Sequence, residues 1–474
     1  MRDLLEPGQS VPEWGGYATS IFLIGWATGG LTFGVLGDKI GRAKTMMFTI
    51  LIYSICTGLS ALSTGFWDFA FYRFITGLGV GGEFAVGVAL VAEVMPRLAR
   101  PHALGLLQAL SAVGNVTAAS LTIWLGRLEE TGVSAMLMGW PAWRWMFVIG
   151  AIPALLALVI RMYLKEPDRW LEMKAASKTG APGTELGSYA ELFGNPKWHH
   201  GAIGAGSSVI AILAIAFAGP ASWPKLQINT ALAFLMIAFG LWMIYGGGSQ
   251  ASPESKRWRR NAVVGMLLAC SGVIGLWGIG FFSIDLQRSV FRKALEAEGL
   301  TGTALSGKLT VWSGITAMML QVGAFTGMFL FSRVMQKIGR RPAFALALTA
   351  SMLSTAMVFA FLDDLSDIFW MMPIMGFCQF SLFAGYAIYF PELFPTNLRS
   401  TGTSFCYNVG RFLAASGPTV LGLLTSKVFI DQPEPMRYAG VSMCAVFLLG
   451  LLVLPFAPET KDQPLPEDER GFSH

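Results

Sequence analysis

Charge is scarce in this 474-residue chain: Asp, Glu, Lys and Arg together make up 13%, about half the share of an ordinary soluble domain. With 54% hydrophobic residues and a mean hydropathy of +0.55, a soluble globular protein is excluded. The five cysteines (Cys56, Cys270, Cys378, Cys406, Cys444) fall inside apolar runs and show no paired loop spacing. They read as small packing residues, so neither a disulfide framework nor a metal site is expected. His199-His200 is a lone pair in a polar stretch. No glycine-rich run has P-loop spacing, and the glycines at 77–82 lie inside an apolar run rather than after a strand, which argues against ATP use and against an enzyme. The opening residues lack a basic n-region and a small-residue cleavage site, so no signal peptide is read. The net charge of +5 comes from Lys and Arg gathered in particular loops, not from a nucleic-acid-binding surface.

Long apolar runs are what the chain does have. Spans are predicted at about 15–36, 45–64, 69–93, 103–125 and 144–163, then 201–219 and 229–246, then 261–283, 309–332, 342–362, 368–391, 402–426 and 438–457. About thirteen helices make this an all-α polytopic membrane protein. Alternate loops concentrate Lys39, Arg42 and Lys44; Arg97 and Arg100; Lys165 to Lys178; Lys256 to Arg260; Lys337, Arg340 and Arg341; and Arg399. By the positive-inside rule these face the cytosol, with the N-terminus outside and the C-terminus inside.

One stretch organises the rest. Gly34-Val35-Leu36-Gly37-Asp38-Lys39-Ile40-Gly41-Arg42 is a charged, glycine-bent turn between apolar runs, and Lys337-Ile338-Gly339-Arg340 repeats its core. Glu93-Val94-Met95-Pro96 with Arg100 is likewise repeated as Glu392-Leu393-Phe394-Pro395 with Arg399. Both pairs are separated along the chain by the same distance to within one residue, so the protein is an internal duplication.

The pattern G-x-x-x-D-[RK]-x-G-[RK] resembles the signature of the major facilitator superfamily of secondary transporters. The resemblance implies two pseudo-symmetric six-helix bundles. The expected layout is an N-terminal bundle at 1–164 (helices 2–6 of the family), a central cytosolic loop with an inserted helix pair at 165–260, a C-terminal bundle at 261–457 (helices 7–12) and a cytosolic tail at 458–474. The family's first helix is thus missing from the reading, by a late start or by true absence. Two extra central helices are present, as in relatives resembling sialate:proton symporters. The resemblance also implies a lattice across the two halves made by Asp38, Lys39, Gly41, Arg42, Glu93, Arg100, Lys337, Gly339, Arg340, Glu392 and Arg399, each wet ion pair contributing about 0–1 kcal/mol. The competing reading is of topology anchors, which suits Lys39 best. Lys165-Glu166-Pro167-Asp168-Arg169 and Pro458-Glu459-Thr460-Lys461 partly resemble half-end motifs of the sugar-porter branch, with Asp462 where glycine is usual.

Two ionisable residues lie deep in spans, where they need a partner, a wet cavity or neutrality. Glu83, in a Gly-Gly-Glu cluster like that of metabolite:proton symporters, reads as a proton-carrying site or as a structural hydrogen-bond partner. Arg411, in Tyr407-Asn408-Val409-Gly410-Arg411, stays charged and needs an anion, either a protein acid or a substrate carboxylate; this run resembles organic-acid symporters. Gln108, Asn115, Gln321, Gln379, Tyr407, Asn408 and Trp277 are further candidates for the cavity wall, though any one alone is more often interhelical glue.

The function expected is secondary active transport by alternating access, as proton symport of an anionic metabolite such as a carboxylate or acidic sugar. A neutral-sugar porter and a transporter-like solute sensor are the alternatives. A small solute and membrane lipid are the partners, nucleic acid is not, and no protein partner is implied, so a monomer in the cytoplasmic membrane is expected. No cofactor is required, the proton gradient supplying the energy.

Overall fold

The computed structural model describes residues 4–6, 11–96, 98–130, 140, 142–178, 185–217, 223–247, 252–414, 417, 420–421 and 424–466. In chain order the helices are α1 (Val11–Ile40), α2 (Arg42–Ser60), α3 (Phe66–Val94), α4 (Arg100–Glu130), α5 (Ala142–Ile149), α6 (Ala154–Tyr163), α7 (Asp168–Lys178), α8 (Tyr189–Phe193), α9 (Trp198–Phe217), α10 (Trp223–Tyr245), α11 (Pro253–Val273), α12 (Ser283–Ala297), α13 (Gly302–Ile338), α14 (Arg340–Phe361), α15 (Ile368–Glu392), α16 (Arg399–Ala414), α17 (Pro435–Met443) and α18 (Val446–Val453). Among the described residues, ten helical stretches are long and apolar enough to cross a membrane. The other predicted spans fall on α9, on α16, and on α5 with α6, which part at Gly150–Pro153 where proline has no N–H to donate.

Two boundaries differ from the sequence reading. The signature stretch is not an open turn: α1 stays helical to Ile40, α2 starts at Arg42, and Gly41 alone makes the bend with φ 119°. Gly339 does the same between α13 and α14 with φ 94°. Both conformations favour glycine. The basic run Lys256 to Arg260 is helical as well, because the Ser252 hydroxyl accepts the Ser255 N–H at 3.1 Å and Pro253 opens α11. The expected boundary at 260 therefore lies inside a helix.

The duplication is visible in the packing. α1 lies on α3, and α13 lies on α15. A Cβ on Gly25, Gly29 or Gly77 would collide with the backbone carbonyl of Phe74, Leu78 or Phe22. The corresponding Gly323, Gly327 and Gly376 would collide with those of Pro373, Phe377 and Leu320. These glycines let backbones touch, which is how apolar helices gain contact in a solvent as apolar as themselves. The halves meet along α1 with α16 and along α4 with α13. Gly34 faces Ser404 in the first seam, and Ser332 faces Gly105 in the second.

The correspondence fails in one place. α11 packs on α16, where Gly265 meets Cys406 and Gly410 meets Cys270. The equivalent face of α4 carries Leu107, 39% exposed, and Gly114, which has open space before it. Among the described residues nothing covers that face.

Gly29→Val should force α1 and α3 apart at a cost of about 1–3 kcal/mol or more, whereas Gly114→Ala should be neutral or slightly stabilising. Thermal melting of the detergent-solubilised variants checks both. Equal melting of Gly29→Val and wild type would contradict the close packing.

Candidate functional site

The two helix turns and the half-end motifs meet at one end of the bundle, here termed the motif end. Asp38, at the C-terminal end of α1, accepts hydrogen bonds from the Ser400 N–H (3.2 Å), the Thr401 N–H (2.8 Å) and the Thr401 hydroxyl (2.6 Å). A carboxylate of one half thereby caps the N-terminus of a helix in the other, where N–H groups lack intrahelical partners. Arg42 lies 3.0 Å from Asp38 and donates to Glu93 at 2.9 and 3.1 Å and to the Thr396 carbonyl at 2.8 Å. Arg399 donates to the same Glu93 at 3.1 Å.

Asp38, Arg42, Glu93 and Arg399 are thus one network joining the halves, and their side chains are 0% exposed. The expectation of wet, weak pairs is corrected here. With water excluded, removing one partner strands a buried charge, which costs about 3–5 kcal/mol.

The second half builds a weaker version. Arg340 pairs with Glu392 at 2.7 Å, and the Thr460 hydroxyl donates to Glu392 at 2.6 Å, all within the C-terminal half. The counterpart of Asp38 is Gln336, which approaches the Leu98 carbonyl (3.3 Å) and His102 (3.1 Å) at the head of α4. The first contact is a buried carboxylate, the second an exposed amide. Arg100 is buried at the head of α4, while Lys39 and Lys337 are exposed and outside both networks, which suits the anchor reading for the lysines.

The half-end motifs, read from sequence for kinship alone, have a structural role here. The Glu166 carboxylate takes the Arg42, Ala43 and Lys44 N–H groups, and Glu459 takes those of Arg340 and Arg341. The Glu166 carboxylate occupies the space a side chain on Gly41 would need, and Glu459 would crowd one on Gly339. Burial raises the Glu459 pKa, but the N–H groups of Arg340, Arg341 and Lys461 outweigh it and hold the value below the ordinary 4.5. This cap is complete above that value and fades as pH falls through the lowered one. The Trp170 indole donates to the Asp38 carbonyl at 2.7 Å. A strap at 185–193 crosses the seam: the Gly187 N–H donates to the Asn397 carbonyl (2.8 Å), the Asn397 amide to the Glu185 carbonyl (3.1 Å), and the Tyr189 hydroxyl to the Leu31 carbonyl (3.0 Å). Asn195 then clasps the end of α10 through the Trp242 and Met243 carbonyls, tying the inserted pair to the seam.

Deeper in the bundle lies a cavity of about 220 Å³ lined by Asn115, Val116, Ala119, Trp277, Ala317, Met318, Gln321 and Phe380. The Asn115 amide reaches Gln321 across the halves at 3.4 Å. Of the predicted wall residues, Asn115, Gln321 and Trp277 are here. Gln379 is instead buried against the Thr355 hydroxyl at 2.6 Å, and Gln108 reaches the Phe383 carbonyl at 3.4 Å. Both act as interhelical glue.

Arg411 sits twelve residues into α16, about 18 Å from the motif end at 1.5 Å per residue. It is 4% exposed and does not line the cavity. Its guanidinium lies between the Trp26 and Tyr407 rings, 4.1 and 4.2 Å from their centroids, and donates to the Asn408 side-chain oxygen at 2.8 Å. Among the described residues no carboxylate pairs with it. Asn408 also bonds the Ser404 carbonyl at 2.9 Å and packs on Gly30, so it orients Arg411.

Glu83 lies elsewhere. Gly79 and Gly87, one turn to either side, face Tyr53 and Met46 of α2. By these glycine contacts it belongs to the α2–α3 side of the first half, not to the Arg411 site.

Glu93→Gln should loosen the motif end by leaving Arg42 and Arg399 without their shared charge. In a background lacking native cysteines, Ser404→Cys should then react with N-ethylmaleimide at least about tenfold faster. Lys39→Gln should leave the rate unchanged, and an unchanged rate in Glu93→Gln would contradict the network's role in closure.

A model of "Sugar (and other) transporter" proteins matches residues 6–183, and one of the Major Facilitator Superfamily matches residues 294–473. A putative metabolite transport protein of Haemophilus influenzae is 26% identical over 87% of this chain and 80% of its own length. The cis,cis-muconate transport protein of Acinetobacter baylyi is 24% identical, covering 91% and 83%, and the sialic acid transporter NanX of Escherichia coli is 26% identical, covering 83% and 73%. In structure the chain resembles the proton:xylose symporter XylE, with a TM-score of 0.67 at 17% identity over 100% of this chain and 93% of that one. With each half of the duplication matched by a transporter model, and the same fold in a solved transporter, the chain is an integral membrane transporter, not an enzyme, and belongs to the sugar-porter branch of the major facilitator superfamily.

Proposed function

We propose that this secondary transporter is a proton symporter of a small carboxylate, working by alternating access with its motif end toward the cytosol of a cytoplasmic membrane. The observation that carries the reading is Arg411, a buried cation near mid-membrane with no carboxylate partner among the described residues. A guanidinium has five donors in a planar fork, and a π face can lower the cost of its burial but cannot accept two parallel hydrogen bonds. A carboxylate can. Relatives named for muconate and sialic acid transport agree with an acid as solute.

The cavity narrows the class. Apart from Asn115 and Gln321 its wall is apolar, with Trp277, Phe380 and Met318 contributing most of the bulk. A flat, conjugated acid buries well against such a wall, whereas a polyhydroxylated sugar acid would leave hydroxyls unpaired at about 1–3 kcal/mol each. Glu83 supplies the proton site, an acid at membrane depth on the α2–α3 side of the first half. No cofactor enters, and the proton gradient is the energy source. The protein acts as a monomer with the N-terminus as read outside and the C-terminus in the cytosol.

Uptake and proton movement in proteoliposomes test this with benzoate, cis,cis-muconate, sialic acid and glucose. Wild type should take up a conjugated acid with alkalinisation outside. Arg411→Gln should lose at least about a hundredfold in kcat/KM, the cost of a charge-assisted bidentate contact, and Glu83→Gln should abolish proton movement. Glucose uptake without proton movement would establish a sugar porter instead, and binding without uptake a sensor.

A further inference from the structure

Arg411 and the cavity are separated by two indole rings. Trp277 is part of the cavity wall, and Trp26 meets it edge to face, with centroids 5.7 Å apart and planes at 74°. The Trp26 ring also lies under the Arg411 guanidinium, 4.1 Å from its centroid. Beyond Arg411 the order continues through Tyr407, at 4.2 Å, to Phe84 of α3, whose ring is stacked 4.1 Å from that of Tyr407 at 22°. The rungs alternate between the halves: Phe84 belongs to the first, Tyr407 and Arg411 to the second, Trp26 to the first and Trp277 to the second.

Three features of this ladder point the same way. Arg411 Nε has no hydrogen-bond partner among the described residues, so the guanidinium is held but not saturated. Trp277 sits on a π-helical turn, Ile274–Ile279, that also contains Gly275 and Gly278. Wide turns of this kind mark places where a helix can re-form its hydrogen bonds. The third is geometric: Trp277 lines the cavity, Trp26 packs against Trp277, and the same Trp26 ring lies against the cation.

We propose that Trp26 is the resting counter-ligand of Arg411 and, with Trp277, an internal gate that a solute carboxylate displaces. This rests on the reading of Arg411 as carboxylate receptor. Indole is the strongest of the side-chain π partners for a cation, so it holds the guanidinium while the site is empty. A carboxylate that forms two charge-assisted hydrogen bonds outcompetes it, whereas a neutral solute of the same shape has nothing to exchange for the lost cation–π contact. Trp26 is therefore a positioning residue that selects for anions. Its departure also separates a ring of the first half from two side chains of the second, so solute binding and inter-half contact are one event.

Kinetics of benzoate uptake, with cis,cis-muconate and sialic acid in parallel, test the gate on Trp26→Leu, Trp26→Phe and Arg411→Gln. Removing the counter-ligand spares the carboxylate the displacement. KM in Trp26→Leu should fall about tenfold, about 1.4 kcal/mol, with kcat reduced rather than raised, and thiocyanate should become an inhibitor of this variant alone. Trp26→Phe should fall between it and wild type. If Trp26→Leu does not fold, Trp26→Phe and Trp26→Tyr carry the test, both lowering KM relative to wild type. A wild-type KM in the Trp26 variants, with uptake lost in Arg411→Gln, would overturn the gate while leaving the receptor in place. Normal uptake by Arg411→Gln would remove the receptor, and the gate with it.

Discussion

The structure depends on a carboxylate placed at the end of another half's helix. Asp38 meets two backbone N–H groups and a hydroxyl at the start of α16, and Arg42 ties it to Glu93, which also holds Arg399. None of these side chains reaches solvent. Buried charge changes the character of the contact. A wet ion pair loosens gradually at small cost, whereas this network is either assembled, with each charge matched, or broken, with several charges needing water together. Such a contact has two states and little between them. That is what alternation between two faces requires of a closing element.

The duplication did not copy this device evenly. At the second seam Gln336 stands where Asp38 stands at the first, and His102 stands where Thr401 does. The Gln336 contacts are exposed, so they open and close at less cost than a buried carboxylate would. The first seam sets the stability of motif-end closure, and the strap from Glu185 to Phe193 lies over this same seam, through Asn397 and Leu31. The inserted helix pair is attached to the strap by Asn195, so a segment that lies outside the repeat is joined to the buried network.

Much of this was legible in the residues themselves. The signature, its partial copy, and the repeated acid–arginine spacing give the duplication and name the four members of the buried network. The paired glycines at 25 and 323, at 29 and 327, and at 77 and 376 give the close helix pairs once they are superposed. Rotation about helix axes was not legible. Glu83 and Arg411 lie at similar depth, yet the glycine contact of α3 with α1 turns Glu83 toward α2. Gln379 and Gln108 have the composition of a cavity wall and the orientation of glue. Burial of the network was hidden for a related reason: a charged turn on a sequence reads as wet, whereas in the fold the strap, Trp170 and the turn before α16 lie over it.

α1 and α16 give the two ends of the site a common mechanical basis. Trp26 and Asp38 are twelve residues apart on α1, and Thr401 and Arg411 ten apart on α16, or about 18 Å and 15 Å along their axes. Trp26 touches Arg411, and Asp38 touches Thr401. The same two helices thus meet once at the cation and once at the capped N-terminus. Over these lengths a helix packed on its neighbours moves as a rod, so a change in spacing at one contact is felt at the other. An anion that draws Arg411 away from Trp26 therefore acts on the pair of helices that Asp38 holds together. Because the stronger contact lies at the motif end, solute exchange at the cation can bias the closure without breaking it outright. In the proposed symport, opening then awaits the protonation state of Glu83, an acid on the α2–α3 side of the first half.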